Sequence, residues 1–218
     1  MRTLKVFLFL VFTLVALNPR SGAYGSMEPS MRLDSLLWRQ QRMVDGALSF
    51  IQGKNSEPVD VSTRSPRQRC LRGVKKGFYS AGILKKYPAW KIASQMDKIL
   101  KNPKQIKRFL KNEYKFVHLD KVKTVKDAPA YSLLVYEGAP YGHIEFKVPA
   151  DYLESKGFTH ALRSNAGTKS AVALEQIQYV YVSDYIDAFP RNHPSSRVAN
   201  KFAQNKRPLK AVFQLQKI

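Results

Sequence analysis

The chain has 218 residues, with 37 Lys and Arg against 16 Asp and Glu, a formal net charge of +21, and one cysteine. That length suits one domain with a real core plus an extra segment, and a single cysteine excludes both an internal disulfide and a thiolate metal site. The charge points to an anionic polymer or surface: cell-wall glycan with its peptide carboxylates, anionic lipid, or nucleic acid. Lysines and arginines are spread along the whole sequence, so charge by itself does not choose among these.

Residues 1–23 read as a secretory signal peptide. Arg2 and Lys5 form a basic start, an apolar run extends from Val6 to Leu17, and Ser21, Gly22 and Ala23 supply the small residues of a cleavage site. The run is shorter than the roughly 20 residues a membrane-spanning helix needs. No cysteine follows it, so a lipid-modified end is not expected. Export with cleavage near Ala23 predicts a secreted or periplasmic protein. It removes three basic residues and no acid, leaving 34 basic and 16 acidic residues, a net +18.

Residues 34–51 read as an amphipathic helix with Leu36, Leu37, Met43, Val44, Ala47, Leu48 and Ile51 as its apolar side. It is expected to pack on the main domain; control of access to the site is the alternative. Residues 52–66, with Gly53, Asn55, Ser56, Pro58, Ser62 and Pro66, read as a linker. The expected division is therefore 1–23 leader, 24–66 helix and linker, and 67–218 main domain.

Ser65 and Pro66 are helix-start residues, and Leu71, Val74, Phe78 and Ala81 recur at three-and-four spacing. Cys70 thus falls in the first turn of a helix, where unpaired backbone N–H groups and the helix dipole favour a thiolate. Arg67, Arg69 and Arg72 push the same way. Gly73 and Gly77 leave the face of the helix that carries the sulfur open to a close backbone neighbour. These features mark Cys70 as a candidate nucleophile; a buried, inert thiol is the plainer alternative.

Two further helices are expected, over 89–100 and from Pro103 through Leu110, the latter coated by Lys101, Lys104, Lys107, Arg108 and Lys111. From Tyr114 the period changes, and 115–119, 131–137, 142–148 and 177–185 read as strands. Residues 131–148 form an expected hairpin, and 149–175 an insertion with a helix over 150–156. Helices first and strands second argue α+β with an antiparallel sheet.

Among four histidines, His143 stands out as a base for Cys70. It opens the strand Gly142-His143-Ile144-Glu145-Phe146-Lys147-Val148, and alternation places His143, Glu145 and Lys147 on one face. A base on a rigid strand facing a helix start is the geometry a thiol nucleophile requires. The imidazole needs a polar group to orient it. Asp184, ending the strand Tyr179-Val180-Tyr181-Val182-Ser183-Asp184-Tyr185, is the first choice. Glu145 is the alternative, about 7 Å along the same strand and awkward for a direct hydrogen bond; Asn165 is the third.

Cysteine at a helix start followed by Val74 and small residues, Gly-His opening a strand after a turn, and Val-Ser-Asp-Tyr ending a later strand together resemble the papain-like cell-wall hydrolases. These are the NlpC-type endopeptidases, the CHAP amidases and secreted amidase effectors. The resemblance covers about 67–190. It implies a papain-like α+β fold with N-terminal helices packed on an antiparallel sheet, Cys70 as nucleophile, His143 as base, Asp184 as orienting residue, and peptidoglycan amide bonds as substrate. Tyr131 and Ser132 stand where the family commonly has Gly-Asp, and 149–175 is longer than the usual connection.

The expected mechanism is an ion pair of Cys70 thiolate with His143, attack on a stem-peptide or muramoyl amide, and hydrolysis of the thioester. The Cys70 N–H is one oxyanion donor; Tyr79 and Tyr141 are open choices for the second. No cofactor or metal is expected, since the histidines lack HExxH spacing. The expected partner is peptidoglycan, bound by a monomer, with neither nucleic acid nor a stable membrane anchor. The alternative function is a noncatalytic secreted basic protein that binds anionic cell wall, lipid or nucleic acid.

Overall fold

The computed structural model describes residues 36–52, 69–138, 141–165, 168–193 and 207–218. The expected leader over 1–23, nearly all of the linker and the helix-start pair Ser65 and Pro66 lie outside the described residues.

Helix α1 (Leu36–Ile51) buries Met43, Val44, Ala47 and Leu48 along one stripe. It lies against α2 (Arg69–Ser80), which buries Leu71, Val74 and Phe78. The α1 helix is thus part of the main core. Gly77 permits this closeness, because a Cβ there would sit 2.3 Å from the Met43 carbonyl oxygen. Phe78 is a hub: its ring lies 6.2 Å from Trp90, 5.0 Å from Phe116 and 6.1 Å from Phe146. Removing such a fully buried ring costs about 3–5 kcal/mol.

The helix expected over 89–100 is shorter than its apolar pattern suggests. A 3-10 turn (Ala93–Gln95) leads into α3 (Met96–Lys101), and α4 (Pro103–Ile106) follows. Tertiary bonds compete for the first residues: Lys75 Nζ donates to the Pro88 and Trp90 carbonyls at 3.3 and 3.1 Å, and the Ser94 N–H donates to Tyr141 O at 2.9 Å. Asn102 then caps α4, its side chain accepting from the Lys104 and Gln105 N–H groups.

The strands are β1 (Tyr114–His118), β2 (Leu133–Tyr136), β3 (His143–Pro149), β4 (His160–Asn165), β5 (Thr168–Ala173), β6 (Tyr179–Val182), β7 (Ile186–Asp187) and β8 (Leu209–Lys217), with α5 (Ala150–Glu154) following β3. They form one sheet in the order β1-β8-β2-β3-β6-β7-β4-β5, antiparallel except where β4 meets β7. The molecule is therefore α+β with a predominantly antiparallel sheet, as its element order predicts. Two features depart from the expected elements. The insertion after β3 carries the β4–β5 hairpin, and β8, unforeseen, sits between β1 and β2 in the centre of one half of the sheet.

Register places the site. In the β2–β3 pair, Val135 faces Ile144 and Leu133 faces Phe146, all four in the core beneath α2. Tyr136 faces His143 and Leu134 faces Glu145 on the other side of the sheet, where Leu134 and Tyr136 join a smaller cluster with Val125, Ala128, Tyr181 and Val212. Lys147 shares that side. Its Nζ donates to the carbonyls of Val125, Lys126 and Ala128 at 3.0, 2.9 and 2.6 Å and lies 4.2 Å from the Tyr179 ring centre, so it pins the 125–128 loop beneath the sheet.

Candidate functional site

Cys70 is the second residue of α2, in the turn whose N–H groups have no intrahelical acceptor. Its side chain lies against the backbone amide of Ile144, one residue beyond His143, and its own helix start contributes the Leu71 amide. Gly73 brings α2 this close to the rest of the site: a Cβ there would stand 2.0 Å from the Ser183 carbonyl oxygen, so the helix rests directly on the segment that carries Asp184. The open face expected from Gly73 and Gly77 is real. It is shared, however, between the Ser183 backbone and α1.

The surroundings of Cys70 favour the neutral thiol. Burial, and then the negative charge of Asp184, push Cys70 from 9.0 up to about 12; the Ile144 amide, Arg191 and the Leu71 amide oppose them without prevailing. This corrects the expected thiolate. A helix start lowers a thiol only where solvent or a cation can share the charge, and Cys70 is 7% exposed beside a carboxylate. Arg67 lies outside the described residues, and the cations acting on the sulfur include the distant-in-sequence Arg191 and Arg207.

His143, 5% exposed, opens β3 on the sheet face away from α2, and among the described residues its ring makes no hydrogen bond to Cys70 Sγ. Its Nε2 lies 2.9 Å from Glu145 Oε2. Glu145 is fully buried; its Oε1 accepts from the Tyr136 hydroxyl at 2.7 Å and from the Arg191 N–H at 3.3 Å. Burial first, then the charges of Arg191 and Arg207, hold the imidazole well below its ordinary value, and burial pushes the Glu145 carboxyl up to about 7. A neutral imidazole that donates from Nε2 to a carboxylate leaves Nδ1 as the free base.

The hydrogen bond assigned to Asp184 in sequence is therefore made by Glu145. Asp184 accepts from the Ser183 hydroxyl at 3.1 Å and acts on Cys70 and His143 through its charge. The strand expected over 177–185 breaks at this point into β6 and β7, where the Ser183 N–H turns back to Tyr185 O at 3.1 Å. Asn165 closes β4, and its side chain lies outside the described residues. The other histidines serve elsewhere: His118 lies 5.3 Å from the Phe213 ring, His160 Nδ1 bonds the Thr159 hydroxyl, and His193 stacks on Phe189 at 4.6 Å.

Tyr79 does not supply the second oxyanion donor. Nine residues from Cys70, it points from the opposite side of α2, half exposed and edge-on to Tyr87. Tyr141 offers its carbonyl to the Ser94 N–H.

Three residues of the cluster escaped the sequence reading. Tyr136 is paired with His143 in register and lies 6.0 Å from its ring. Arg191, 6% exposed, sets its Nη2 2.9 Å from Asp187 Oδ2. Arg207 donates through Nη1 to the Gly142 carbonyl. The visible signal was the run Asp184, Asp187, Arg191: paired acids in a strongly basic chain, followed by an arginine after Phe189-Pro190.

Among the described residues no helix is long and apolar enough to cross a membrane. No protein-family model, curated protein or solved structure matches the chain.

Proposed function

We propose that this protein is an exported cysteine hydrolase of papain-like type that cuts a stem-peptide or muramoyl-peptide amide of peptidoglycan. The observation that carries the reading is the single cysteine in the first turn of a buried helix, its sulfur at the Ile144 amide next to a His143–Glu145 pair. The peptidoglycan substrate rests on the motif resemblance and the +18 charge left after removal of residues 1–23 (34 basic and 16 acidic residues), which suits an anionic polymer.

The reaction begins from the neutral pair. As Cys70 Sγ attacks the amide carbonyl, its proton is relayed round the end of β3, through water or the bound substrate, to His143 Nδ1, while the Glu145 carboxylate holds the Nε2–H and stabilises the imidazolium. The Cys70 N–H faces the developing oxyanion, a donor worth about 3 kcal/mol in comparable sites. The C–N bond then breaks, His143 returns the proton to the leaving amine, and water hydrolyses the thioester.

The test is digestion of purified murein sacculi by the protein and by Cys70→Ala, with released fragments read by mass spectrometry. New amine and carboxyl ends made only by the parent protein support the hydrolase and name the bond. Intact sacculi with folded parent protein overturn it.

A second reading has an observation of its own. A thiol pushed up to about 12 and shut from solvent suits a noncatalytic basic binder in which Cys70 is merely buried. In that case Cys70→Ser leaves sacculus binding unchanged, and the binding falls steeply with salt.

A further inference from the structure

Glu145 is poorly placed to be a carboxylate unaided. It is buried in the sheet, and the groups around it are the Tyr136 hydroxyl from β2, the Tyr181 hydroxyl from β6, His143 on its own strand, Arg191 after β7 and Arg207 at the entry to β8; Asp184 beyond β6 acts in turn on Arg191, and Cys70 from α2 on both arginines. Of these only the two arginines are permanent cations, and Arg191 is the more deeply buried. Arg191 reaches Glu145 in two ways. Its backbone N–H donates to Oε1 at 3.3 Å, and its guanidinium, 2.9 Å from Asp187 Oδ2, is held near enough for its charge to act on Glu145, Asp184, His143 and Cys70. Asp187 is a sheet residue, in register with Tyr181 and Leu162, so the anchor is rigid.

We infer that Arg191 is a positioning residue of the thiol site: its backbone N–H and its Asp187-anchored guanidinium hold Glu145 as the carboxylate that orients the His143 ring. The catalytic consequence rests on the proposed hydrolase; the effect on the His143–Glu145 pair does not, and can be read without substrate. Replacing the side chain leaves the backbone bond in place, so a substitution isolates the charge.

The experiment is a pH titration of the His143 ring nitrogens by 15N NMR in the full chain, for the parent protein, Arg191→Gln, Arg191→Lys and Asp187→Asn, with thermal melting and sacculus digestion on the same samples. In Arg191→Gln the transition reporting Glu145 protonation moves up by about one pH unit or more, the scale of a lost neighbouring charge. Arg191→Lys recovers most of the shift, and Asp187→Asn, which keeps the cation and loses its anchor, shifts it less. The acid limb of any sacculus hydrolysis moves in parallel. A parent-like nitrogen profile in folded Arg191→Gln overturns the inference. Should that variant not fold, an unchanged profile in Asp187→Asn does so. Intact sacculi together with a displaced titration remove the peptidoglycan reading and leave the role of Arg191 standing.

Discussion

His143 Nε2 and Glu145 Oε2 lie 2.9 Å apart although the residues are two positions apart on one strand. A strand repeat of about 7 Å separates their backbones, and the long glutamate side chain leans along β3 to close it. Tyr136, across in β2, holds the other carboxylate oxygen and fixes that lean.

Glu145→Gln keeps the shape and loses the charge behind the imidazole. Sacculus hydrolysis is expected to fall by about 10²- to 10⁴-fold, the upper figure being the cost of replacing the carboxylate behind a catalytic imidazole by its amide, with little change in KM. Steady-state rates on solubilised muropeptides check this. A loss confined to KM would place Glu145 in substrate binding instead.

Asp184→Asn is expected to act in the opposite direction on the thiol. The Asp184 charge is one of the forces that push Cys70 up to about 12, so neutralising it raises the thiolate fraction and speeds alkylation by iodoacetamide several-fold at pH 8–9. In the parent protein the folded thiol labels at least about 10²-fold more slowly than the same chain in guanidinium, because the folded value lies far above the ordinary 9.0. Comparable labelling rates folded and unfolded would contradict the buried, protonated thiol.

The pH dependence of folding carries two opposed contributions. The folded Glu145 carboxyl is raised from 4.5 to about 7, so its contribution to stability is full below about pH 4.5 and lost as pH rises through 7. The folded His143 lies well below 6.5, so its contribution is present above 6.5 and lost as pH falls. Tyr136→Phe removes a hydrogen bond that favours the Glu145 carboxylate, and is expected to move the acid limb of activity upward while costing about 1 kcal/mol of stability. Rate profiles between pH 5 and 9 with parallel melts decide it; a downward shift would refute the assignment.

Gly73→Ala places a methyl 2.0 Å from the Ser183 carbonyl oxygen, which is backbone and cannot swing aside. The α2 helix must back away from the Ser183–Asp184 segment, at a cost of about 2 kcal/mol or more, roughly 5 °C in Tm. Differential scanning calorimetry measures the loss, and the Cys70 alkylation rate should rise as the sulfur is uncovered.

The sequence by itself determined what depends on neighbours along the chain. The three-and-four spacing of Leu71, Val74 and Phe78 located a helix with Cys70 in its first turn, and alternation from His143 to Lys147 placed three polar side chains on one face of a strand. The β8 strand was not foreseen: Val212 interrupts the alternation of Ala211, Phe213 and Leu215 with Lys210, Gln214 and Gln216, and its place between β1 and β2 is a matter of long-range pairing. Only the tertiary structure decided which acid meets His143, since hydrogen bonding depends on side-chain direction and not on the spacing of backbones. Only it decided the state of the Cys70 thiol. A helix start argues for a thiolate and burial argues against it, and burial, together with the approach of Asp184 and Arg191, is set by the packing of α2 on a sheet whose strands come from the far end of the chain.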